Sequence, residues 1–83
     1  MGKVAVKLRI MPESTEADLE KIKKEVAEKF EVKDISIEPV AFGLKAIKVL
    51  IVVEDSEKAG DVESEIGSIE GVGSVEVESL TLL

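Results

Sequence analysis

From Lys3 onward the chain alternates. Val4, Val6, Leu8 and Ile10 fall on one parity, and Lys3, Ala5, Lys7 and Arg9 on the other. A period of two predicts a strand with one apolar and one basic face. Met11-Pro12 ends it, because proline brings no ladder donor. The period then becomes helical. Ser14 or Thr15 is expected to cap a helix whose first turn holds Glu16 and Asp18, where carboxylates suit the helix dipole. Leu19, Ile22, Val26 and Phe30 make its core stripe, and the interleaved lysines and glutamates make its solvated face. Ile35, Ile37 and Val40 predict a second strand, in which Pro39 signals a sheet edge or a bulge.

The same order then repeats. Leu44 to Glu54 is the strongest strand signal, β-branched and apolar on both parities from Val49. Glu54-Asp55-Ser56 is expected to turn it. A shorter helix is predicted to begin between Glu57 and Asp61, with Val62, Ile66 and Ile69 as its stripe. Gly60 and Gly67 weaken it, and Gly71 and Gly73 are expected to end it. Val75 and Val77 open the last strand. Leu80 and Leu82 continue on the opposite parity, which predicts a bulge or bend near Ser79. Two βαβ units divided near Gly43 predict an α+β fold. It is the ferredoxin-like βαββαβ sandwich, a four-stranded antiparallel sheet with two helices on one face. Residues 1–83 are expected to form one domain. In that fold the first strand lies between the third and fourth. Lys3, Lys7 and Arg9 would then face Glu76 and Glu78, a favourable cross-strand arrangement.

Composition removes most chemistry. The chain has no cysteine and no histidine, so thiolate catalysis, disulfides and the commonest acid–base and metal-ligating side chain are excluded. Its 18 acidic residues lie scattered among lysines, and no spacing singles out a carboxylate pair for acid–base work. Asp55, Glu57 and Asp61 do not have the spacing of a calcium loop. Gly71-Val72-Gly73 follows a helix rather than preceding one, so it is not a phosphate loop. No metal or cofactor is expected. A net charge of −7 disfavours direct nucleic-acid contact and anionic membranes. The longest apolar stretch, Val49 to Val53, is too short to span a bilayer. No leader pattern is visible, and a cytoplasmic protein is expected. Acidity and a guarded edge strand suggest a monomer. Asn and Gln are absent and the charges are mainly Glu and Lys, the balance seen in thermophile proteins. What is left is a binding module with no covalent chemistry of its own.

Phe42 is then the most unusual residue. It is one of two aromatics and sits in Pro39-Val40-Ala41-Phe42-Gly43-Leu44, between two strand-like runs. Proline and glycine bracket it, which marks a turn. A large apolar ring at a tight turn is either a plug beneath the core or a finger offered to a partner. Residue pattern leaves both open.

Three segments carry a family resemblance: Met11-Pro12-Glu13-Ser14, Glu38-Pro39-Val40-Ala41-Phe42-Gly43-Leu44-Lys45 running into Val49 to Asp55, and Ile69-Glu70-Gly71-Val72 followed by Val75-Glu76-Val77. In order and spacing the chain resembles the archaeal translation elongation factor 1-beta family and the C-terminal exchange domain of its eukaryotic counterpart. The resemblance implies a ferredoxin-like fold and guanine-nucleotide exchange on the GTPase elongation factor 1-alpha. It implies that Phe42 contacts the GTPase, with Ala41 and Gly43 beside it in the motif. It also implies a contact from the end of the chain, Leu82 and Leu83. There the pattern departs: eukaryotic domains carry a penultimate lysine directed at the Mg²⁺ and phosphate region, and Leu82 stands in its place. Long eukaryotic relatives carry further domains for a larger complex, whereas this chain is expected to act alone on its GTPase.

Two rival readings remain. A small-molecule sensing module would need a polar constellation, for which only Asp34, Ser36 and Ser74 are candidates. An assembly domain would pair through the edge strand Val32 to Val40, where Lys33, Asp34 and Pro39 look like edge protection.

Overall fold

The computed structural model describes residues 2–83, the side chains of Phe42 and Ser56 excepted. The elements run β1 (Val4–Pro12), α1 (Leu19–Lys29), β2 (Glu31–Pro39), a 3-10 turn (Ala41–Gly43), β3 (Lys45–Val53), α2 (Ser56–Gly67) and β4 (Val72–Leu82). The sheet order is β2-β3-β1-β4, with every neighbouring pair antiparallel. This is the βαββαβ sandwich expected from the alternation, with β1 between β3 and β4.

The apolar parity of β1 explains the layers. Val4, Val6, Leu8 and Ile10 are buried with Ile47, Val49 and Ile51 of β3. Ile22 and Val26 of α1 and Ala59, Val62 and Ile66 of α2 join the same cluster. Both helices therefore cover one face of the sheet. Leu19 and Phe30 pack against this core only partly buried. Phe30 is the C-cap of α1 rather than a residue of its stripe. The other face carries Lys7, Arg9 and Lys48 on the central strands. Lys48 reaches Glu38 at 3.2 Å and Glu78 at 3.8 Å, an ion-pair bridge that spans the sheet. Arg9 and Glu76 are register partners as the charge pattern suggested. Lys7 instead faces Ser79.

Helix starts differ from the sequence expectation. Ser14 does not cap α1. It closes a local turn, its Oγ accepting from the Glu16 N–H at 3.2 Å and its carbonyl from the Ala17 N–H at 3.3 Å. Asp18 is the cap, its Oδ1 accepting from the Lys21 N–H at 3.1 Å. The second helix starts earlier than expected, at Ser56, and is not the shorter of the two. Asp55 caps it through the Lys58 N–H at 3.1 Å, so the turn and the cap are one residue. This helix ends at Gly67. Ile69 and Gly71 lie beyond it, in the turn that leads to β4. Because a carboxylate cap is worth about 1 kcal/mol, Asp18→Ala should lower the melting temperature by about 4–8 °C. A thermal melt checks this, and an unchanged midpoint would mean that Asp18 does not hold the helix start.

Two strand irregularities matter. The edge strand β2 has its register shift between Val32 and Asp34, at Lys33, rather than at Pro39, which ends the strand. In β4 the register with β1 slips between Val77 and Ser79, so Glu78 is the extra residue. The expected bulge is there. Beyond it Leu80 and Leu82 pair with Val6 and Val4, and partners directly opposite share a face. Both leucines thus stand on the helix-bearing face. The helices do not reach over them, and they remain 53% and 79% exposed.

Candidate functional site

The turn between β2 and β3 is built by its backbone. The Val40 N–H donates to the Leu44 carbonyl at 2.8 Å, and the Leu44 N–H to the Ala41 carbonyl at 3.2 Å. Gly43 has φ +78, a conformation costly for any residue with a Cβ. Nothing lies within 4 Å of where such a Cβ would stand. The glycine is required by the chain direction, not by crowding. Ala41 and Gly43 are exposed. The Phe42 side chain lies outside the described residues, so the choice between plug and finger is open at the level of geometry. Its backbone is the middle of this exposed turn.

The remaining expected contact residues lie elsewhere. Lys45 pairs with Pro39, and Pro12 with Val72, so the turn is at the end of the sheet where β1 finishes. Leu82 pairs with Val4 at the end where β1 begins, and the Leu83 N–H donates to the Lys3 carbonyl at 2.9 Å. At about 3.3 Å per residue the two ends are roughly 25–30 Å apart. The fold therefore does not gather Ala41, Phe42 and Gly43 with Leu82 and Leu83 into one patch.

It gathers something else. The Glu13 N–H donates to the Gly71 carbonyl at 2.9 Å. Gly71 has φ +95. A Cβ on Gly73 would stand 2.9 Å from the Pro12 carbonyl oxygen, so only glycine permits this approach. The segment after β1 is thus pinned to the start of β4. Opposite it stands the turn. Between them is a cleft of about 250 Å³ lined by Pro12, Ser14, Thr15, Leu19, Gly43 and Lys45, with Ala17. Residues 11–14, 38–45 and 69–72 of the segments that carry the family resemblance lie at this one end of the molecule, while 49–55 runs on to the other. Sequence reading missed Thr15 and Lys45 as site residues. Thirty positions separate them, and only the sheet topology brings them together.

The small-molecule candidates do not converge. Asp34 and Ser36 line a shallow hollow of about 340 Å³ on the open face, with Lys7, Lys48 and Leu50. Ser74 pairs with Met11 on the far side of β1. Among the described residues no group of three Asp or Glu is arranged to hold a metal ion, and no helix is long and apolar enough to cross a membrane.

Fold and site together define a ferredoxin-like domain presenting a hydrogen-bonded turn beside a cleft. Folds among solved structures agree with the ferredoxin-like part of that statement. The ACT domain from GTP pyrophosphokinase of Chlorobium tepidum superposes with a TM-score of 0.73 over 95% of this chain and 90% of that one, at 22% identity. The family model of the EF-1 guanine nucleotide exchange domain matches residues 5–83. The chain belongs to that family. Its relatives include the elongation factor 1-beta of Archaeoglobus fulgidus, 49% identical over the whole of both chains. That of Methanocorpusculum labreanum is 45% identical and covers 100% of this chain and 99% of the relative. That of Methanothermobacter thermautotrophicus is 41% identical with the same coverage.

Proposed function

We propose that this chain promotes GDP release from elongation factor 1-alpha and so permits GTP to enter, as a cytoplasmic factor of protein synthesis. The observation that supports this most is the family match over residues 5–83, which includes the exposed turn at Ala41–Gly43. The partner is the GTPase itself, and neither nucleic acid nor a membrane is needed. The factor acts by binding alone.

The mechanism follows from linkage. A protein that prefers the nucleotide-free GTPase over the loaded form weakens GDP by the same factor by which GDP weakens it. Each tenfold loss of nucleotide affinity takes about 1.4 kcal/mol of preferential binding. One aromatic anchor at an interface supplies about 2 kcal/mol or more. Phe42 would therefore carry a substantial share, and other contacts the rest. Leu82 and Leu83 would supply a second, apolar contact at the other end of the sheet. With leucine at position 82, that contact cannot displace Mg²⁺ by charge.

The direct test is release of a fluorescent GDP analogue from elongation factor 1-alpha, with and without micromolar protein. Acceleration is expected, and its absence would defeat the exchange reading in favour of a module without exchange activity. In the same assay a Leu82→Ser, Leu83→Ser variant should slow exchange roughly three- to tenfold, about one exposed apolar contact's worth. Its melting temperature should stay within about 4 °C of the parent, as expected for exposed positions. Unaltered exchange would remove this end of the chain from the interface.

A further inference from the structure

The cleft beside the turn has a definite chemistry. Ser14 Oγ already accepts the Glu16 N–H at 3.2 Å, so its hydroxyl proton is free to be given away. The Thr15 hydroxyl makes no hydrogen bond among the described residues. Lys45 has no ion-pair partner among them. Two hydroxyl donors and an ammonium therefore line one cavity, whose remaining walls are Pro12, Ala17, Leu19 and Gly43. None of its lining residues is acidic. The contrast with the other side of the same loop is sharp. There a second hollow of about 250 Å³, which shares Ser14 and Ala17 with the first, is lined by Glu13, Glu16, Asp18 and Glu70, with Lys21 the only cation. The loop thus sets an acidic hollow beside one whose lining carries a lysine and no carboxylate.

We infer that this cleft receives an Asp or Glu side chain of the GTPase, seated between Lys45 and the hydroxyls of Ser14 and Thr15 while the turn docks alongside. The inference rests on the exchange reading and adds to it a contact of stated charge. Three observations carry it. Charge complementarity selects an anion, since an ammonium and two hydroxyl donors suit the acceptors of a carboxylate. Position selects the docked protein as its source, since Gly43 of the turn is itself part of the cleft wall. Rigidity makes the contact worth having. Pro12 and Glu13 are locked to Gly71 and Gly73 on one side, and two backbone hydrogen bonds lock the turn on the other. Little ordering is left to be lost on binding.

The test uses the full chain and elongation factor 1-alpha, reading both release of the fluorescent nucleotide and affinity for the nucleotide-free GTPase. Lys45→Glu should weaken affinity tenfold or more and slow exchange in step, because a like charge at an interface is strongly unfavourable. Lys45→Met should lose less, and its affinity should depend less steeply on salt than the parent's. Lys45→Arg should recover most of the parent rate. Lys45 is exposed, so melting temperatures of all three should match the parent, and the Met variant remains a fair test if the Glu variant does not fold. If Phe42→Ala slows exchange while Lys45→Glu does not, the cleft is no contact and the exchange reading stands. If the parent protein releases no nucleotide, both fall. Saturable binding of inorganic phosphate at the cleft, with exchange indifferent to Lys45→Glu, would assign the site to a free anion and overturn the inference.

Discussion

Phe42→Ala should exchange nucleotide about thirtyfold more slowly than the parent at subsaturating protein, the equivalent of about 2 kcal/mol at an interface anchor. Its fold should be unaffected. The turn is held by the Val40–Leu44 and Leu44–Ala41 backbone bonds and by the positive φ of Gly43, none of which needs an aromatic side chain. Both neighbours, Ala41 and Gly43, are exposed. Two measurements on one sample decide the matter. Slow exchange with an unchanged melt identifies a contact residue. A fall of more than about 10 °C in melting temperature, more than 1 kcal/mol in a domain of this size, would identify a plug instead. In that case the turn would act through its shape alone.

The largest stability effect belongs to the opposite kind of residue. Leu8 is fully buried at the centre of β1, flanked by Val49 of β3 and Val77 of β4. Truncating such a leucine costs about 2–5 kcal/mol, from lost transfer energy and the cavity left behind. A domain of 83 residues has a total stability of only about 4–12 kcal/mol. Leu8→Ala should therefore lower the melting temperature by roughly 10–30 °C. The effect is large because the core is one layer deep: a sheet with both helices on one face has no second core to share the loss. A fall of less than about 5 °C, near 1 kcal/mol, would mean that the helices settle into the void, and that the core is looser than its burial suggests.

The fold was readable because its main determinant is periodic. Alternation in Val4 to Ile10 names the buried face of the strand, and the switch to helical spacing after Met11 names what covers it. Even the parity break between Val77 and Leu80 carried its meaning, since a half-period error in a strand has few remedies besides a bulge. Boundaries were harder. Ser14 and Asp18 are both good caps, and the outcome turned on which oxygen reaches a free N–H three residues ahead. Asp18 does so, while Ser14 is engaged in its own turn. The same competition misplaced the start of α2, where Asp55 reads equally well as a turn residue and as a cap. The site was legible only in part. Gly43 could be anticipated because positive φ has a strong residue preference. The cleft could not, because Ser14, Thr15 and Lys45 become neighbours through strand order and through the close approach that Gly73 allows to Pro12. No local pattern encodes either.

The extra residue at Glu78 has one further consequence. A bulge is a phase shift, and everything after it inherits the new phase. Leu80 and Leu82 share the side of Val4 and Val6 only because one residue upstream is left out of the ladder. Were that residue paired in a regular ladder instead, Ser79 and Thr81 would take their side, with both leucines turned to the opposite surface. The direction in which the last strand presents position 82, whichever side chain stands there, is thus decided four residues earlier, by whether the ladder skips a residue. Among relatives of this protein, loss of the bulge at unchanged spacing between Val77 and Leu82 would redirect the tail as thoroughly as any substitution within it.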